Sequence, residues 1–134
     1  MSDSRSRPGP RPVGSSQVAA LEFCRDWMVY LGERDTVIAA RVAAGVCDLY
    51  SSRYVALVQN RIGNIEVPLV QRAIALSASD GRRALVFHSG GCLIDAARLA
   101  DAHGIALITY VAREGDIEAR NRVAVPICRT YRLP

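Results

Sequence analysis

Three residues stand at a spacing that suits phosphate chemistry. Asp48 closes the run Gly45-Val46-Cys47-Asp48, a polar Ser51-Ser52-Arg53 turn follows, and the apolar run Val55-Ala56-Leu57-Val58 delivers Gln59 and Arg61. Hydrolysing a phosphodiester needs a metal that polarises a phosphoryl oxygen and lowers the pKa of a bound water. Mg²⁺ takes oxygen ligands and keeps several waters, so one or two carboxylates and a carbonyl suffice. Asp48 and the amide oxygen of Gln59, on adjacent strands, can supply two of them. Arg61 lies two residues beyond Gln59 and therefore on the same strand face, because side chains alternate with period two. Its guanidinium is protonated at any working pH, so it can clamp a phosphate at two points but cannot take a proton.

Each residue also has a plainer reading. Asp48 can be a strand-end carboxylate facing water, and Gln59 a half-buried polar residue that wants a partner. Ser89-Gly90-Gly91, before a helix, offers backbone amides to a phosphate or simply turns strand into helix. His88 can be a strand-end side chain, and Tyr50 and Tyr54 the flanks of a hairpin or neighbours of a nucleic-acid backbone.

The elements that must position these groups follow from periodicity. Ser16 caps a helix over 17–31, with Val18, Leu21, Phe23 or Cys24, Met28 and Leu31 on one face and Gly32 closing it. Strands are expected at 36–42, 46–50 and 54–62, close enough in sequence to form an antiparallel meander. Pro68 opens a helix to about residue 79. Residues 82–88 and 105–111 are near-continuously apolar, as buried parallel strands are, with a helix at about 93–103 between them. Residues 114–124 suggest a last helix. The order is helix, three-strand meander, helix, strand, helix, strand: an α/β fold with a mixed sheet of about five strands flanked by helices.

Composition sets the frame. The chain has 134 residues, half of them apolar and 22% charged, which fits one globular domain. It divides into a Pro/Arg-rich flexible arm at 1–16, a single domain at 17–125 and a tail at 126–134. The arm can reach phosphates through Arg5, Arg7 and Arg11, or simply be solvated. No apolar run is long enough to span a bilayer and the first 16 residues lack a signal-peptide core, so a cytoplasmic protein with no membrane partner is expected. Four cysteines without C-x-x-C spacing read as free thiols. The net charge of +4 is compatible with a polyanionic partner. All 17 basic residues are arginine, so no lysine is available for catalysis.

The order of elements, with Asp48 on the second strand and Gln59-Asn60-Arg61 on the third, resembles the restriction-endonuclease-like (PD-(D/E)XK) nucleases. Within that superfamily the chain is most similar to the Mrr-type restriction endonucleases, over about residues 18–110. That family carries a first-helix glutamate, G-G-x-D, Q-x-K, then a strand, a Ser/Gly-rich turn and an alanine-rich helix. Glu22 falls at the helical position. Gly45-Val46-Cys47-Asp48 keeps the first glycine and the aspartate, with Val46 at the second glycine, and Gln59-Asn60-Arg61 carries arginine at the lysine position. The stretches 84–91 and 96–108 are similar to the family's C-terminal half.

The resemblance implies catalytic roles for Asp48, Gln59 and the residue at Arg61, a Mg²⁺ held by Asp48, Gln59 and Glu22, DNA as partner and a possible homodimer. The family's lysine orients the attacking water and offsets transition-state charge. With Arg61 in its place the expectation is a nuclease-fold protein that binds DNA, its metal-dependent cleavage impaired or lost. The alternative is a non-catalytic interaction or regulatory module on the same fold.

Overall fold

The computed structural model describes residues 6–12, 16–40 and 46–134. Helix α1 (Gln17–Tyr30) begins where the Ser16 hydroxyl accepts a hydrogen bond from the Ala19 N–H at 3.2 Å. Three strands follow, β1 (Val37–Ile38), β2 (Leu49–Tyr50) and β3 (Tyr54–Gln59), paired antiparallel in order. Helix α2 (Val67–Asp80) carries the chain back to β4 (Arg83–His88), parallel to β3. Helix α3 (Ile94–Ala102) does the same for β5 (Ala106–Val111).

The sheet is mixed and open, with its strands in sequence order. Alternation along the strands divides two cores. Tyr54, Ala56 and Val58 of β3, with Leu85, Phe87, Ile108 and Tyr110, pack under α1. Val55 and Leu57, with Ala84, Val86 and Leu107, pack under α2 and α3. Two apolar faces each covered by helices make a three-layer α/β arrangement. Among the described residues, no helix is long and apolar enough to cross a membrane.

The structure corrects the sequence reading in three places. First, the meander strands are shorter than expected. The β2–β3 ladder stops at Leu49↔Ala56, and the Asp48 carboxylate accepts the next β3 donor, the Val58 N–H, at 2.7 Å. Residues 41–45, which include Gly45, lie outside the described residues.

Second, β3 ends at Gln59 rather than at Ile62. The Asn60 side chain accepts the Tyr110 hydroxyl at 2.7 Å and the Arg61 N–H donates to Ser89 Oγ at 3.1 Å, so neither residue continues a ladder.

Third, the sheet has six strands rather than about five. The expected helix at 114–124 is a single 3₁₀ turn (Ala112–Glu114) followed by β6 (Asp116–Ala119), antiparallel to β5. Gly115, at φ +64°, ends the turn in a left-handed conformation. Ile117 then enters the core while Glu118 faces out, the period-two pattern of a strand. Buried Asn121 seals this corner by accepting the Leu107 N–H at 3.0 Å and donating to the Ile105 carbonyl at 2.7 Å.

Helix α4 (Ala124–Thr130) occupies part of the segment read as a tail. It packs on the α1 side, and beyond it Leu133 is buried, its N–H donating to the Leu31 carbonyl at 2.9 Å.

Candidate functional site

The C-terminal ends of the parallel strands bring polar residues into one row, Gln59↔His88↔Thr109. In open α/β sheets ligands bind outside these strand ends. Two loops rise over the row, 60–66 after β3 and 89–93 after β4, and they are locked together. Ile65 and Cys92 form a parallel bridge, and the Ile65 N–H donates to the Gly91 carbonyl at 2.8 Å. Ser89 Oγ accepts the Arg61 N–H at 3.1 Å and donates to the Arg61 carbonyl at 2.9 Å, so one serine sets the backbone that carries Arg61. Gly90 sits so close to Gly63 that a Cβ would lie 1.8 Å from the Gly63 carbonyl oxygen.

On the α2 side of these loops is a cleft of about 240 Å³ lined by Gln59, Arg61, Asn64, Glu66, Leu69 and Arg72. The Gln59 amide and the two guanidiniums have no hydrogen-bond or salt-bridge partner among the described residues. The sequence brought Gln59 and Arg61 to one face through strand period, and they do share a cleft, although Arg61 stands on a loop. Arg72 was missed. Its signal was helical spacing, since it lies four residues after Pro68 and three after Leu69, on the turn that rises from the loop.

Asp48 stands at the edge of this region, outside the lining of the cleft. Burial pushes its carboxyl pKa above the usual range, opposed by the Val58 N–H bond and by the charge of Arg72. Glu22 is exposed on α1 and lines a different cleft, with Arg11, Phe23 and Tyr110, on the α1 face of the sheet. Gln59 and Arg61 are therefore brought together, Asp48 approaches Arg72, and Glu22 belongs to the opposite side.

Asp48, Gln59 and Glu22, the ligands that the resemblance implies for Mg²⁺, do not line one cleft. One Asp48 oxygen is engaged by backbone and burial disfavours its charged form. Two guanidiniums and the Glu66 carboxylate line the Gln59 cleft, and Glu22 lines a different cleft on the α1 face of the sheet. No cluster of three His, Cys, Asp or Glu side chains assembles among the described residues.

The neighbouring groups of the sequence reading have structural partners. His88 is fully buried, and its Nδ1 accepts the Gly90 N–H at 2.7 Å, so that amide is not free for a phosphate. Burial, and then the charge of Arg61, lowers the His88 pKa and keeps the ring neutral. Its tautomer is therefore Nε2–H, a buried donor with no acceptor among the described residues. The Tyr54 hydroxyl donates to the Pro134 oxygen at 2.6 Å, and Arg82 lies over the Tyr50 ring. Arg7 and Arg11 of the arm pair with Asp116 and Asp26.

The fold and this cleft define an α/β protein with a mixed, open six-stranded sheet and a polar, arginine-bearing cleft at the ends of its parallel strands. Compared with protein-family models, curated proteins and solved structures, the chain matches none.

Proposed function

We propose that this chain is a DNA-binding protein on a restriction-endonuclease-like core, related to the Mrr-type nucleases, that holds a backbone phosphate without cutting it. The observation that carries this reading is the cleft beside Gln59, where Arg61 and Arg72 outnumber the one lining carboxylate, Glu66, and form no ion pair among the described residues. Two planar guanidiniums and an amide suit the oxygens of a phosphodiester. The element order supports it as well: a helix, an antiparallel meander, then a helical crossover to a parallel strand is the arrangement that the nuclease-like core requires.

Loss of cleavage follows from the same cleft. Arg61 cannot be deprotonated, and Asp48 and Glu22 do not converge with Gln59 on one point. Phosphate is then clamped with no activated water facing it.

Fluorescence anisotropy with a labelled duplex at low salt tests the binding. Affinity should fall steeply with salt, and the Arg61→Ala/Arg72→Ala double variant should lose about tenfold in affinity and lower the salt slope by about two. Failure to bind duplex, branched or single-stranded DNA at low salt would sink the reading. Supercoiled plasmid incubated with Mg²⁺ or Mn²⁺ should stay intact. Cleavage that disappears in Asp48→Ala would overturn the non-cutting part.

A second reading, a protein-interaction module, draws on the apolar rim above the cleft. Ile62 is fully exposed at its loop tip, Leu93 is exposed at the end of the loop bridged to it, and Ile94 is exposed at the start of α3. Concentration-dependent self-association abolished by Ile62→Ser would favour this reading and a homodimer.

A further inference from the structure

Residues 6–12 read Ser-Arg-Pro-Gly-Pro-Arg-Pro, and they lie along a surface built from α1, β6 and the end of α4. The Arg7 guanidinium sits 5.6 Å from the ring centre of Trp27 and 5.1 Å from that of Tyr131. It also donates to the Tyr131 hydroxyl at 3.2 Å and pairs with Asp116 at 3.1 Å. Pro8 is buried. Gly9 and Pro10 cross Gly115 so closely that a Cβ there would lie 2.6 Å from the Pro10 nitrogen. At the far end the Arg11 N–H donates to the Ala112 carbonyl at 2.7 Å, while its guanidinium pairs with Asp26 and lies 5.3 Å from the Phe23 ring centre.

The receiving surface has the parts of a peptide groove. Phe23, Asp26 and Trp27 are spaced i, i+3, i+4 and so share one face of α1. Trp27, Tyr30 and Tyr131 pack ring against ring, with centroids 5.7–5.8 Å apart. A carboxylate stands at each end, Asp26 and Asp116, to meet the two arginines. Proline-rich segments dock in aromatic-lined grooves because their extended form is set before binding and little entropy is lost. A guanidinium over an aromatic ring adds a cation–π attraction.

We propose that this groove is a recognition site for an extended Arg-Pro-x-Pro-Arg segment, a ligand separable from the domain, and that residues 6–12 are its occupant in cis. The site is independent of the phosphate cleft. A partner that displaced the strap would have to present two guanidiniums with the same spacing on an extended, proline-bearing chain.

The test uses the full chain with Arg7→Ala/Arg11→Ala, which empties both hooks, and a capped synthetic peptide of residues 6–12. Trp27 is the sole tryptophan, so its fluorescence reports the groove. The emptied variant should bind the peptide with a change in Trp27 emission. The wild type should bind at least about tenfold more weakly, because a tethered segment competes at an effective concentration in the millimolar range. A peptide with both arginines changed to alanine should not bind. No binding to the emptied variant, or equal binding by variant and wild type, would overturn the proposal. A second measurement needs no variant: in the native chain the Arg7 side-chain proton resonances should be shifted upfield by the Trp27 and Tyr131 rings. Random-coil shifts for Arg7 would overturn the proposal as surely.

Discussion

The two ends of β3 handle charge in opposite ways. At its start, Glu33 is only 4% exposed, yet its carboxylate accepts from Ser51 Oγ at 2.7 Å and from the Arg53 guanidinium through two nitrogens. Arg53 and the Tyr54 hydroxyl then hold the Pro134 oxygen, at 3.1 and 2.6 Å, and tie the end of the chain to the sheet. Every polar group in that knot has a partner. At the other end, Gln59, Arg61 and Arg72 line a cleft with none among the described residues. Both ends belong to the same six-residue strand. Polar groups satisfied within the chain hold the fold, whereas those left open at a strand end are free for a ligand.

The contrast can be broken most strongly at the satisfied end. Glu33→Ala removes a buried acceptor and strands the Ser51 hydroxyl, so it should cost about 2–3 kcal/mol in urea unfolding and leave DNA affinity unchanged. A loss of DNA binding without loss of stability would mean that the two ends are not separate in function.

Gly90→Ala should cost about 1–3 kcal/mol, because its Cβ collides with backbone rather than with a movable side chain. The two locked loops must part, so this variant should weaken both stability and DNA binding. Preserved binding would show that the loop lock does not position Arg61.

Arg61→Ala and Arg72→Ala should each leave the urea midpoint where it is, within about 0.5 kcal/mol, while binding weakens. A clear destabilisation by either would show that the open end is structural after all.

The smallest effects are in the pH dependence. His88 has its folded pKa depressed below the ordinary 6.5, so the unfolded chain takes up a proton that the native state refuses. Stability should therefore fall as pH drops through the window below 6.5, and His88→Gln should flatten that slope. Asp48 has its folded pKa raised above 3.8. Across the window just above 3.8 the native state holds the extra proton, so its contribution has the opposite sign and favours folding as pH falls. Asp48→Asn should remove that term. Unfolding curves at stepped pH would separate the two, and a His88→Gln slope identical to wild type would refute the first assignment.

The elements from α1 to β5 were legible in the sequence because their signals are local and repetitive. Residues 83–88 and 106–111 are apolar almost throughout, and only a strand buried on both faces wants that. Pro68 and Gly81 bracket α2 by backbone chemistry alone. The end of the chain was harder. Asp-Ile-Glu-Ala at 116–119 carries a strand's alternation over too few residues to outweigh the helix-tolerant composition around it, and pairing with β5 decides the matter. The reach of β3 was misread for a related reason, since Asn60 and Arg61 leave the ladder for Tyr110 and Ser89, partners far away in sequence.

The candidate site divides along the same line. Sequence spacing by itself kept Gln59 and Arg61 close enough to line one cleft, and the lysine-free composition made arginine the long cation there. Only the tertiary structure could bring Arg72 to that cleft, place Glu22 across the sheet and turn Asp48 toward the Val58 amide. Side-chain period acts within one element, whereas convergence depends on how elements cross, and the packing of the two cores sets that.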